Sequence, residues 1–127
     1  MKNLTDNPTM DDGALFEQYL EEGNYALAFE VLKRLAEKSR ERKLQLAYFY
    51  EKGKGTEVDE EKALELVREV YSHCSPTPYS DIWEDAALRL ADYYRRGIGT
   101  EADPERAQKI LDKLKDDKDR LDECLSR

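Results

Sequence analysis

Sliding the chain by 44 residues sets LQLAYFYEKGKGTEVDEEKA (Leu44 to Ala63) onto LRLADYYRRGIGTEADPERA (Leu88 to Ala107), and eleven of the twenty positions are identical. A repeat of this period admits few architectures. Each copy is one supersecondary unit that cannot bury its apolar face alone, so successive copies must stack.

The shared residues each have a task in a helix, turn, helix unit. Leu46 and Tyr50, like Leu90 and Tyr94, are four apart and share one helical face. Ala47 and Ala91 are small enough for a neighbouring helix to come close. Gly53 and Gly55, with their copies Gly97 and Gly99, supply the positive φ angles that end a helix and reverse the chain. Asp59 and Asp103 cap the helix that follows, the second with Pro104 at the first helical position. Ala63 and Ala107 lie one turn in, where the second helix presses on the first.

The periodicity predicts a helix from Glu60 to about Ser72, with Ala63, Leu66, Val67 and Val70 on its apolar face, and another from Pro104 to about Lys115, with Ala107, Ile110, Leu111 and Leu114. Two prolines in HCSPTPYSD, His73 to Asp81, separate the copies. Upstream, Ala14 to Lys38 is a more diverged helix pair, turning at Gly23 and Asn24. The expected fold is all-α, an α-α superhelix of about three helix-turn-helix units. Its parts are a flexible N-terminus over 1–10, the diverged pair over 11–38, one repeat over 39–73, a second over 81–115 and a C-terminal capping helix over 116–127.

A chain of 127 residues suffices for one domain, and its charged fraction equals its hydrophobic fraction at 39%. The net charge of -8 argues against a phosphate backbone or an anionic membrane as partner. Cations nonetheless crowd Lys33, Arg34, Lys38, Arg40, Arg42 and Lys43, while Glu57 to Glu61 and Asp116 to Glu123 are acidic. No run approaches the roughly 18 apolar residues needed to span a bilayer, and MKNLTDNPTMDD lacks the apolar core of a secretory signal. The expectation is a cytoplasmic protein with Cys74 and Cys124 reduced.

Sites of chemistry are scarce. GKGT at Gly53 to Thr56 suggests a phosphate loop, but Tyr48 stands where the first glycine of that motif belongs and Gly55 where its hydroxyl belongs. The second copy replaces Lys54 by Ile98. His73 is the one histidine, and its neighbour Cys74 projects about 100° away on a helix, so the two do not converge into a dyad. The acidic pairs Glu21/Glu22, Glu60/Glu61 and Asp116/Asp117 belong to solvated helical faces, and no calcium-loop spacing occurs. Trp83 is expected to pack against the preceding unit. Neither catalysis nor a metal or cofactor is expected.

The pattern Leu46-Ala47-x-x-Tyr50-x-x-Gly53-x-Gly55-Thr56-x-x-Asp59-x-x-Lys62-Ala63, with its copy from Leu90 to Ala107, resembles the Sel1-like repeat, a relative of the tetratricopeptide repeat with a longer loop between its helices. The first pair, with Tyr19, Gly23, Asn24, Tyr25 and Ala28, is closer to an ordinary tetratricopeptide unit, although Phe16 stands where a small residue is usual. The likeness covers about residues 12 to 115. It implies a non-catalytic solenoid whose first helices line a concave face that binds a protein or peptide. The face carried over comprises Leu44, Tyr48, Glu51 and Lys52 in one unit, Leu88, Asp92, Arg95 and Arg96 in the next, and Glu17, Leu20 and Glu21 in the first. Tyr48, Arg95 and Arg96 have the chemistry of binding hot spots. An immunity or antitoxin-type inhibitor of a basic toxin is the alternative, its acidity speeding association. A homodimer through the Tyr48 and Arg95 face, or through the end units, is a further arrangement.

Overall fold

The computed structural model describes residues 11–125, which form six helices in chain order: α1 (Asp12–Glu21), α2 (Tyr25–Ala36), α3 (Arg40–Lys52), α4 (Glu60–His73), α5 (Ile82–Arg96) and α6 (Pro104–Leu125). The expected flexible N-terminus over 1–10 lies outside the described residues. Each helix packs on the next, and α3 also meets α5. This is the all-α helical solenoid that the repeat predicts.

Caps set most of the helix starts. Side chains of Asp11, Asn24, Ser39 and Asp59 accept the backbone N–H three residues on, as Asp103 does from Arg106 at 3.1 Å. The two long loops are copies at the level of single hydrogen bonds. Lys54 and Ile98 donate their backbone N–H to Phe49 and Tyr93, at 2.9 and 2.8 Å, and Asp59 and Asp103 donate theirs to Tyr50 and Tyr94, at 2.9 and 2.7 Å.

The second glycine of each loop does more than turn the chain. A Cβ on Gly55 would lie 2.1 Å from the carbonyl oxygen of Tyr25, the first residue of α2, and one on Gly99 would lie 2.5 Å from that of Glu60, the first residue of α4. Each loop thus rests its backbone on the second helix of the unit before it, and only hydrogen fits in the gap.

Apolar side chains gather into two main clusters. Leu15, Phe16, Tyr19, Ala28, Phe29, Val31 and Leu32 from α1 and α2 close over Leu46 and Phe49 of α3. Leu44, Ala47, Leu64, Val67, Ala86, Leu90 and Tyr94 form the second, and Tyr50 and Leu66 touch both. Phe16, unusual for its position, fills the centre of the first, with its ring 5.9 Å from that of Phe49 and the Arg42 guanidinium over it. Trp83, Ala87 and Leu114 make a smaller cluster with Tyr71 and Leu121, and Trp83 Nε1 donates to the Thr77 carbonyl at 3.0 Å. Trp83 thus shares its cluster with Tyr71 of the preceding unit and, more extensively than expected, with α6 of its own.

The helix expected to stop near Lys115 runs on to Leu125, so the terminal cap is the far end of α6 and not a separate helix. No glycine or proline interrupts it. Asp117, buried on its inner face, accepts from Lys113 one turn before at 2.9 Å and from Arg120, while Lys118 reaches Glu84 of α5 at 2.5 Å. Burial opposes the Asp117 charge, but those two hydrogen bonds prevail and hold its carboxyl below the usual range. Cys74 and Cys124 are free thiols. Among the described residues no helix is long and apolar enough to cross a membrane.

Candidate functional site

α3 and α5 are the first helices of the two repeats and run side by side in the same direction. Their C-terminal ends meet through Glu51 and Arg96, and their N-terminal halves border one open groove of about 610 Å³. Glu41, Leu44, Gln45 and Tyr48 line it from α3, and Ile82, Glu84, Asp85, Leu88 and Arg89 from α5, with Asp81 at the α5 N-cap.

The eight residues expected on this face fall into two groups. Leu44, Tyr48 and Leu88 reach the groove. Leu44 is 2% exposed and forms its floor, continuous with the core, whereas Tyr48 and Leu88 stand open at 38% and 47%. Both line the groove as apolar side chains left open to solvent, one from each helix. The Lys54 ammonium lies 5.3 Å from the centre of the Tyr48 ring and 5.1 Å from that of Tyr25. The lysine of GKGT is therefore a cation laid over two tyrosines.

The other five are tied to one another at the C-terminal ends of the helices. Arg96 bonds Asp92 at 2.6 Å and Glu51 at 3.1 Å, Arg95 bonds Asp92 at 2.6 Å, and Lys52 lies 3.4 Å from Glu51. The hydrogen bond from Arg96 is the main reason the Asp92 carboxyl is held below the usual range, and the Asp92 partner raises Arg96 in turn. Glu51 has its side chain almost wholly covered, and it lies beside the buried Tyr93, whose phenol is pushed up first by burial and then by that carboxylate. This cluster fastens one repeat to the next. Glu17, Leu20 and Glu21 of the first unit do not line the groove.

The opposite end was missed by sequence reasoning, because the positions carried over from the resemblance begin at Leu44 and Leu88. Glu41 lies seven residues before Tyr48, and Asp81 and Asp85 lie seven and three before Leu88, so helical spacing carried backwards would have found them. Of the carboxylates there, Asp85 is paired with Arg89 at 3.0 Å and Glu84 with Lys118. Glu41 and Asp81 are exposed and form no ion pair among the described residues, and Asp81 makes no side-chain capping bond.

No group of three or more His, Cys, Asp or Glu side chains is arranged to hold a metal ion among the described residues. The family model of the Sel1 repeat matches residues 44–69 and 84–116. A comparison with curated proteins finds no match.

Proposed function

We propose that this chain, which carries two Sel1 repeats, is a non-catalytic interaction module that holds a segment of a partner protein in the groove between α3 and α5. Sel1 repeats generally mediate protein–protein contacts, which supports a binding role. The observation that carries the assignment to this groove is the pair of exposed side chains, Tyr48 and Leu88, facing each other over the buried Leu44. Lys52 and Arg95 extend the face towards the helix C-termini, with Glu51, Asp92 and Arg96 bracing it. Recognition by such a surface is complementarity of shape and charge on a preorganised backbone.

The reading is tested by Tyr48→Glu with Leu88→Glu. Neither side chain is needed to fill a core, so helical content and unfolding midpoint should stay near wild type while a partner co-purifying with the native protein is lost. Undiminished co-purification would remove the groove as the binding surface.

A second reading, inhibition of a basic toxin, draws on the unpaired Glu41 and Asp81 and on the net charge of -8. It predicts an association rate that falls steeply between about 0.05 and 0.2 M salt and a complex that survives Tyr48→Glu with Leu88→Glu, whereas a segment anchored on those two side chains is lost with them.

A further inference from the structure

Resting on the groove reading, we infer that the occupant is a basic protein segment, with Arg or Lys side chains seated against Glu41 and Asp81 and one bulky apolar side chain about two helical turns away, lodged over Leu44 between Tyr48 and Leu88. Charge along the groove carries this. At the end formed by the N-termini of α3 and α5, the internal cations Arg89 and Lys118 neutralise Asp85 and Glu84 and leave Glu41 and Asp81 over. At the other end Lys52, Arg95 and Arg96 surround Glu51 and Asp92, one cation in excess. The groove is therefore negative at one mouth, apolar in the middle and slightly positive at the far mouth, so it favours a basic segment in one orientation and repels the charge-inverted one.

A second copy of this chain does not supply that segment readily. Four of the six cations between Lys33 and Lys43 are engaged internally, Lys33 with Glu30, Arg34 with Asp12, Lys43 with Glu69, and Arg42 over Phe16 and bonded to Gln45, which leaves only Lys38 and Arg40 of that run exposed without an ion pair among the described residues. Arg34 is raised chiefly by its hydrogen bond to Asp12, as a spent cation should be.

The test uses three fluorescein-labelled synthetic peptides in an alanine host, read by anisotropy against the whole protein. One carries an Arg-Arg pair two helical turns before a Leu, one has Glu-Glu in place of Arg-Arg, and one has Ala in place of Leu. Expected is saturable binding of the first, with each of the others at least about tenfold weaker, a difference of roughly 1.4 kcal/mol. Glu41→Gln with Asp81→Asn should weaken the first peptide about tenfold and flatten its salt dependence, and Tyr48→Glu should abolish its binding. Equal binding of the Arg and Glu peptides, both lost with Tyr48→Glu, overturns the basic-segment inference and leaves the groove standing. Binding indifferent to Tyr48→Glu removes the groove as well. Failure of all three peptides overturns the basic segment, and the co-purification experiment above then decides the groove independently. A concentration-dependent dimer in sedimentation that Glu41→Gln with Asp81→Asn dissolves would make a second copy the occupant, against this proposal.

Discussion

Gly23 and Gly55 have almost the same backbone angle, φ of 73° and 69°, yet they sit in different surroundings. A Cβ on Gly23 would meet nothing within 4 Å, whereas one on Gly55 would meet the α2 backbone, as one on Gly99 would meet that of α4. The turn of the opening helix pair therefore needs only a conformation, while the two repeat loops need a conformation and a vacancy. The difference follows from position in the stack, since no described helix precedes α1 for its turn to rest on.

The largest expected effect tests that difference directly. Gly55→Ala or Gly99→Ala must bear both the left-handed angle and a collision with backbone, at roughly 3–5 kcal/mol, while Gly23→Ala bears the angle alone, at about 1 kcal/mol. Urea unfolding of the three variants would show it, and equal losses would break the comparison. Next comes the residue between the loop glycines. Ile98 is buried in the core and Lys54 lies over two tyrosine rings, so Ile98→Lys should cost about 3 kcal/mol and Lys54→Ile less than about 1 kcal/mol.

Arg96→Ala should cost about 1 kcal/mol, a loss that shrinks as salt is added to the wild type, because that side chain joins the two repeats through its ion pair with Glu51 and is held in place by Asp92 of its own helix. The opening pair is joined to α3 through Phe16, Phe49 and Arg42 instead, so its attachment should be far less sensitive to salt. The smallest effect is the pH dependence of Asp117→Asn. The Asp117 carboxyl is depressed in the folded chain, so its stabilisation is complete above the unfolded value of about 3.9 and is lost as pH falls through the lower folded value. Wild type and variant should thus differ in midpoint at pH 6 and converge on strong acidification. A constant difference would remove the charge as its cause.

Residues repeated at a fixed interval were the most legible part of the chain, because Gly53, Gly55, Asp59 and Ala63 each recur with the same local duty. The length of α6 was not, since Lys113, Asp117 and Arg120 support one another on a single face only if the helix already exists there. Phe16 was unreadable for a related reason: the space it fills is made jointly by α1, α2 and α3. In the groove, Tyr48 and Leu88 came from the resemblance to the Sel1-like repeat, carried over position by position. That Arg96 is spent on Glu51, 45 residues away in sequence, required the packing of α3 on α5.

The seat of the Gly99 loop on α4 also says something about extension. That loop lies against Glu60 and Leu64, and the counterpart of Leu64 one repeat later is the exposed Gln108. Where a fourth loop would land, α6 offers an amide in place of a methyl-rich surface. An engineer wishing to lengthen the stack should therefore begin by restoring leucine at position 108 before grafting another helix pair beyond Leu125.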